Sequence, residues 1–302
     1  MFRQAICGLV LFVVGTALCW ADESNDGSDA GTTPSTQVRR RFDREKLKNL
    51  QQQLANSKTE LPNLKRVTWK VGDVEREALV YVPAQADQRL PLVFAFHGHG
   101  GRAQYAARKL PIHEFWPQAI CVYPQGLPTP VPIIDREGRF NGWQKSIGDQ
   151  DDRDLKFFDA MLTSLTSEHS IDLKRIYSTG HSNGGYFTYL LWAARGDRLA
   201  AVAPIAAGLD MKDFKLQKPK PILHVAGEHD PIVPFRQQEL SIAQDKKLNG
   251  CDAAGKPAGE NCTEFRSASG TPVVTFIHSG GHEIPPAAPK RIAEFFQQHL
   301  LR

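Results

Sequence analysis

The pentapeptide Gly180-His181-Ser182-Asn183-Gly184 constrains this chain more than any other stretch. A β-prone run, Arg175 to Thr179, stops just before it, and a helix-compatible run opens near Gly185. A G-x-S-x-G pattern between a strand and a helix is a sharp turn known as a nucleophile elbow. The residues flanking the serine must then be small. The serine takes a strained backbone conformation, and its hydroxyl stands clear of the sheet. The next N–H, from Asn183, points where an oxyanion would form. The competing reading is a glycine-rich turn carrying an ordinary surface serine.

A strand that feeds such a turn needs neighbours. Leu92-Val93-Phe94-Ala95-Phe96 is a continuous apolar run, which suits a strand buried on both faces. Further buried strands are predicted at Ala119 to Tyr123, Ala200 to Ile205, Pro221 to Ala226 and Val273 to Ile277. Helices are predicted near Arg102 to Leu110, Asp152 to Ser167, Gly185 to Arg195, Pro234 to Lys247 and Pro289 to Leu301. Arg66 to Val71 and Ala78 to Val82 alternate as an edge hairpin does. Strands alternating with helices define an α/β chain, doubly wound around a mostly parallel sheet with helices on both faces. At 302 residues and 41% hydrophobic, the chain is long enough for one large core. That domain is predicted to run from about Leu61 to the end. A net charge of +4 gives no reason to expect a nucleic-acid partner, and Arg39-Arg40-Arg41 is too short a run to change that.

Residues 1–21 read as a signal peptide: Arg3 supplies the positive start, Ile6 to Trp20 carries no charge, and Ala21 is small. The expected product is secreted or periplasmic. A retained anchor and lipidation at Cys19 stay open as alternatives. No later apolar run is long enough to span a bilayer, so no stable membrane partner is expected. Residues 22–60 read as a polar linker, with a polar helix over Asp43 to Ser57.

Ligands in doubly wound sheets bind at the carboxyl ends of the strands, and three post-strand loops carry chemistry. His97-Gly98-His99-Gly100-Gly101 follows the Leu92 strand and suits a second oxyanion donor, placed at His99 or Gly100. A metal held by His97 and His99 is the weaker reading, since no carboxylate-rich loop pairs with it; no metal or cofactor is expected. After the Pro221 strand, Asp230 is the expected acid, with Glu228 its rival. After the Val273 strand, His282 follows two glycines and is the expected base. His181 is expected to shape the pocket. The order Ser182, Asp230, His282 matches the order of a triad on this kind of sheet. Asp151 and Asp152 read as helix caps.

Phe94 to Gly101, Val122-Tyr123-Pro124-Gln125-Gly126, Asp151-Asp152, Gly180 to Gly185, Val202-Ala203-Pro204 and Gly280-Gly281-His282 together resemble the secreted polyhydroxybutyrate-depolymerase and feruloyl-esterase group, related to the family 1 carbohydrate esterases. The likeness runs from about Val67 to the end. It implies an α/β-hydrolase fold, the roles above for Ser182, Asp230 and His282, and an ester substrate on plant cell-wall polysaccharide or polyester fragments. The chain departs from the pattern in having no separate polymer-binding module. The resemblance also implies a disulfide between Cys251 and Cys262, which flank a Gly/Pro/Ala-rich loop; two free thiols are the alternative. Cys121, inside an apolar strand, reads as a buried thiol. In the insertion Leu127 to Gln150, Trp143 is expected either to stack on a substrate ring or to pack. The reading is therefore a serine carboxylesterase. A prolyl-oligopeptidase-type peptidase and an inactive hydrolase fold used for binding are the alternatives.

Overall fold

The computed structural model describes residue 61 and residues 63–84, 89–131 and 134–301, all within the unit Gln52–Arg302. The expected signal peptide (1–21), linker and polar helix (22–60) lie outside the described residues, apart from the domain start at Leu61.

Twelve strands and six α-helices form among the described residues. The strands are β1 (Lys65–Val71), β2 (Val74–Tyr81), β3 (Leu90–Phe96), β4 (Ile120–Pro124), β5 (Leu127–Pro128), β6 (Asn141–Gly142), β7 (Ile171–His181), β8 (Ala201–Ile205), β9 (Ile222–Gly227), β10 (Lys256–Pro257), β11 (Cys262–Phe265) and β12 (Val273–His278). Ten of them make one sheet in the order β1-β2-β4-β3-β7-β8-β9-β12-β11-β10, while β5 and β6 pair separately. The run from β4 to β12 is parallel throughout. The antiparallel partners sit at the two edges, with the expected β1–β2 hairpin at one of them.

The apolar run at β3 is buried at every position. Successive side chains of a strand point to opposite faces. Leu92, Phe94 and Phe96 enter one core cluster, and Val93 and Ala95 enter the other. The first cluster lies under α3 (Arg153–Glu168), α4 (Asn183–Arg195) and Ile242 of α5 (Phe235–Asn249); the second lies under α1 (Ala103–Lys109), α2 (Ile112–Phe115) and α6 (Ala288–Gln297). Apolar residues on both faces are the physical reason the sequence does not alternate there.

From β3 the chain crosses to β4 on one side and then returns to β7 on the other. That reversal opens a crevice between the carboxyl ends of β3 and β7. Several boundaries differ from the sequence expectation, with β2 opening at Val74 and β3 at Leu90. Strand β7 is longer, running without a break into His181. The last helix stops at Gln297 instead of Leu301, because Leu301 N–H donates to the Lys174 carbonyl (2.9 Å) and draws the chain back against β7.

The expected disulfide is not formed: Cys251 and Cys262 are both free thiols, as is Cys121. Sheet geometry explains it. Cys262 shares a face with its β12 partner Phe276 in the α6-side core. Cys251 follows α5 and packs against the core on the opposite side of the sheet. Two thiols with a sheet between them cannot approach bonding distance without moving the backbone.

Five imidazoles are buried among the described residues, and His97, His181 and His224 are three of them. Burial lowers the pKa of His97 to about 4, against a rise from its bond to the Gly98 carbonyl. It takes His181 to about 3, aided by the charge of His282, and His224 to about 4. Each falls below its ordinary value of 6.5, so between these values the unfolded chain holds more protons than the folded one. Stability is then fully present above about pH 6.5 and falls as the pH drops toward 4. Thermal melts across pH 4–8 should show the midpoint dropping steadily below pH 6.5; a flat profile would contradict buried neutral rings. Non-reducing peptide mapping should find no Cys251–Cys262 cross-linked peptide.

Candidate active site

Ser182 ends β7 and opens α4 with φ 54° and ψ −119°, a conformation disfavoured for a side-chain-bearing residue. Its N–H donates to the Ile205 carbonyl (2.8 Å), and its carbonyl accepts from Tyr186 N–H (2.9 Å). These bonds hold the turn open between β8 and the first turn of the helix. Glycine is compulsory on both sides of the pentapeptide. A Cβ at Gly180 would collide with the Gly184 backbone, and one at Gly184 would lie 2.5 Å from the Phe96 carbonyl oxygen and 2.6 Å from that of His97. Asn183 is the first residue of α4, and the first N–H groups of a helix have no intrahelical acceptor.

The loop after β3 lies directly opposite. A Cβ at Gly98 would sit 3.4 Å from that of Ser182. The second-donor expectation narrows here: Gly100 N–H is committed to the Asn141 carbonyl at 2.7 Å, which removes Gly100 and leaves His99. The His97 ring is a structural lock. Its Nε2 accepts from Gly126 N–H (2.9 Å), so its Nδ1 carries the proton and donates to the Gly98 carbonyl (2.8 Å). With both ring nitrogens engaged, His97 has none to offer a metal. No grouping of ligands suited to a metal occurs among the described residues.

Trp143 does not stack on a substrate. It is 1% exposed, packed edge-on to Phe96 and stacked with Phe187. Its indole N–H donates to the His97 carbonyl (2.8 Å). Its backbone N–H donates to Asn183 Oδ1 (2.7 Å), and its carbonyl accepts from Asn183 Nδ2 (3.1 Å). One buried residue thus clamps the loop after β3 to the residue after Ser182. Sequence alone could not separate stacking from packing, since both need an aromatic ring. Asp152 likewise departs from the capping expectation. It precedes α3, but its carboxylate accepts from Gly148 N–H (2.7 Å) and Gln144 Nε2 (2.8 Å), securing the insertion loop instead.

The carboxylate and the imidazole meet as expected. Asp230 Oδ2 accepts from His282 Nδ1 (2.8 Å), across 52 residues of sequence. Backbone bonds join the two loops: Glu228 N–H to the His278 carbonyl (2.9 Å) and His229 N–H to that of Gly280 (3.0 Å). Asp230 is buried and bonded to His282, whereas Glu228 is exposed. Asp230 Oδ1 accepts from Ile232 N–H (2.8 Å) and Val233 N–H (2.9 Å), and Oδ2 also accepts from Gln238 Nε2 (3.2 Å). Burial pushes Asp230 up. The hydrogen bond and charge of His282 and the two N–H donors outweigh it, so its pKa lies below the ordinary carboxylate value. Donation from Nδ1 leaves His282 Nε2 as the basic nitrogen.

The His282 ring lies against the ring of His181, 4.8 Å between centroids, and His181 is the residue before Ser182. His181 is 9% exposed and backs the imidazole. Two contributors went unread in the sequence. Gln238 lies on α5 with no motif around it. Tyr186 sits four residues after Ser182, a spacing that places both on one helical face; its ring carries Lys145 Nζ at 5.0 Å.

No family model matches the chain. A probable feruloyl esterase C of Aspergillus flavus is 27% identical over 237 residues, covering 74% of this chain and 82% of that protein. The bifunctional acetylxylan esterase/xylanase XynS20E of Neocallimastix patriciarum is 28% identical over 170 residues; the match takes in 54% of this chain and only 23% of that much longer relative. The solved acetyl xylan esterase from Aspergillus awamori superposes with a TM-score of 0.55 at 16% identity, over 78% of this chain and 98% of that one. The chain has the α/β-hydrolase fold, and the relatives it resembles in sequence are esterases.

Proposed function

We propose that this protein is a serine carboxylesterase. One observation carries the reading: the Asp230–His282 pair, built from two separate post-strand loops, packs against His181, the residue before the strained Ser182 of a glycine-walled turn. In the proposed reaction Ser182 Oγ attacks the ester carbonyl while His282 Nε2 takes its proton. Asp230 favours the imidazolium that results. The tetrahedral oxyanion accepts hydrogen bonds from Asn183 N–H and His99 N–H. Collapse expels the alcohol, which receives the proton from His282. Water then attacks the acyl-enzyme with His282 again as base, releasing the acid and restoring Ser182.

The substrate class is proposed as feruloyl, acetyl or hydroxyalkanoate esters on plant cell-wall or polyester material. The sequence likeness to a probable feruloyl esterase supports the first of these. Phe140, 45% exposed with its ring 6.3 Å from that of His99, and Ile232, 42% exposed two residues past Asp230, offer apolar surface at the site. These side chains, and not Trp143, are the candidates to meet an acyl or aryl group. Action outside the cytoplasm is part of the proposal and rests on the N-terminal reading.

Ser182→Ala should lower kcat/KM on p-nitrophenyl acetate and methyl ferulate by about four orders of magnitude or more with an unchanged melting point. Asp230→Asn should cost about three to four orders, because it disturbs the imidazole tautomer. A serine-reactive phosphonate should label Ser182 stoichiometrically. Retention of most activity by Ser182→Ala would refute the assignment.

A further inference from the structure

The loop that delivers His282 is fastened by a side chain that the proposed reaction does not use. The loop leaves β12 at His278, which pairs in register with Gly227 at the end of β9. A Cβ at Gly227 would collide with the Gly281 carbonyl oxygen and lie 2.7 Å from that of Gly280, so the loop folds closely over a residue that leaves it room. Two backbone bonds tie it there, from Glu228 N–H to the His278 carbonyl (2.9 Å) and from His229 N–H to that of Gly280 (3.0 Å). The His229 ring adds a third, its Nδ1 donating to the Ser279 carbonyl (2.8 Å). The fourth belongs to the His278 side chain: Gly280 N–H donates to its Nδ1 (3.1 Å).

That last bond fixes the state of the ring. A ring nitrogen that accepts carries no proton, so the hydrogen of the neutral His278 imidazole is on Nε2. His278 is 8% exposed, and its Nε2 has no hydrogen-bond partner among the described residues. A buried donor left unpaired is costly, and an apolar side chain would fill the same space without that cost. What the imidazole supplies and an apolar side chain lacks is an acceptor for Gly280 N–H. Burial also takes the His278 pKa below its ordinary value, against the opposing charges of Glu283, Asp230 and Glu228. The ring is thereby kept neutral, with Nδ1 able to accept.

We propose that His278 is a positioning residue for His282, its Nδ1 setting the Gly280 peptide from which the catalytic imidazole is carried. The proposal rests on the triad reading above. Gly280 is the last residue before His282 that is held on both sides, its N–H by the His278 ring and its carbonyl by His229 N–H. Beyond it come Gly281, whose missing Cβ would meet nothing closer than 3.6 Å, and then His282, anchored through Nδ1 to Asp230 (2.8 Å). Two successive glycines are free to turn unless something stops them. Without the His278 bond the Gly280 peptide can rotate and swing His282 Nε2 off the line of attack while Nδ1 stays near its carboxylate. His278 acts through the backbone, not on the reacting atoms.

The test compares His278→Leu, His278→Gln and His278→Asn in the full chain, reading kcat and KM on p-nitrophenyl acetate per folded molecule, with Ser182→Ala as control. The Asn Oδ1 stands one bond past Cγ, where Nδ1 stands, and can accept the same N–H. The Gln amide begins one bond further out, and Leu accepts nothing. His278→Leu and His278→Gln should lower kcat by about ten- to a hundred-fold with KM little changed, the loss expected of a displaced catalytic group. His278→Asn keeps the acceptor and should stay within about two-fold of wild type. If His278→Leu does not fold, the Gln and Asn variants decide. Full kcat in His278→Leu or His278→Gln would overturn the positioning role. So would a loss in His278→Asn as large as in the other two, which would mark His278 as a packing residue. An inactive Ser182→Ala beside wild-type behaviour in all three would sink this proposal alone; an active Ser182→Ala would sink the triad reading.

Discussion

Ser182 is held at φ 54° between residues that have no room for a Cβ, and most of the site is arranged around keeping it there. A non-glycine residue in such a conformation costs about 1–3 kcal/mol and persists only where its surroundings over-determine it. Those surroundings are visible. The Ile205 carbonyl holds the serine N–H, the β3 backbone fills the space beside Gly184, and Trp143 grips Asn183 by both ends of its side-chain amide. The strain is met by a large, well-packed core on both faces of the sheet.

Position along the sheet gathers the loops that carry the candidate residues. Strands β3, β7, β9 and β12 are parallel, so their carboxyl ends lie at one edge, and the loops that leave them share one crevice. The loop after β3 brings Gly98 opposite the serine. The loops after β9 and β12 carry Asp230 and His282 and are bonded to each other through their backbones. Asp230 is the best-supported side chain of the set, with four donors on its two oxygens. A carboxylate saturated in this way is held below its ordinary pKa in spite of burial, which keeps a negative charge beside the imidazole at neutral pH.

The buried polar residues fall into two kinds. His97 and Asp152 are fastenings: each ties a loop by bonds to backbone N–H or carbonyl groups. Others bond from side chain to side chain: Gln238 to Asp230, and Tyr189 to His224 and Asp245.

Much of this architecture was legible in the sequence, for local reasons. Apolar runs bounded by turn residues marked the buried strands, because a strand covered on both faces cannot alternate. The glycines around Ser182 marked the elbow, because only glycine survives such close backbone approach. The order of Ser182, Asp230 and His282 marked the loops that would meet. What the linear chain could not settle depended on which face of the sheet a residue occupies and on what is packed over it. Cys251 and Cys262 sit close in sequence yet on opposite faces. Trp143 is a clamp because Phe96 and Phe187 close over it. Gly100 loses its donor to Asn141, forty-one residues on. Gln238 acquires its place only because α5 packs where its amide can reach the carboxylate. Periodicity and turn chemistry are carried by neighbours along the chain; burial, partnership and hydrogen-bond direction are properties of contacts, and those exist only once the sheet has closed around them.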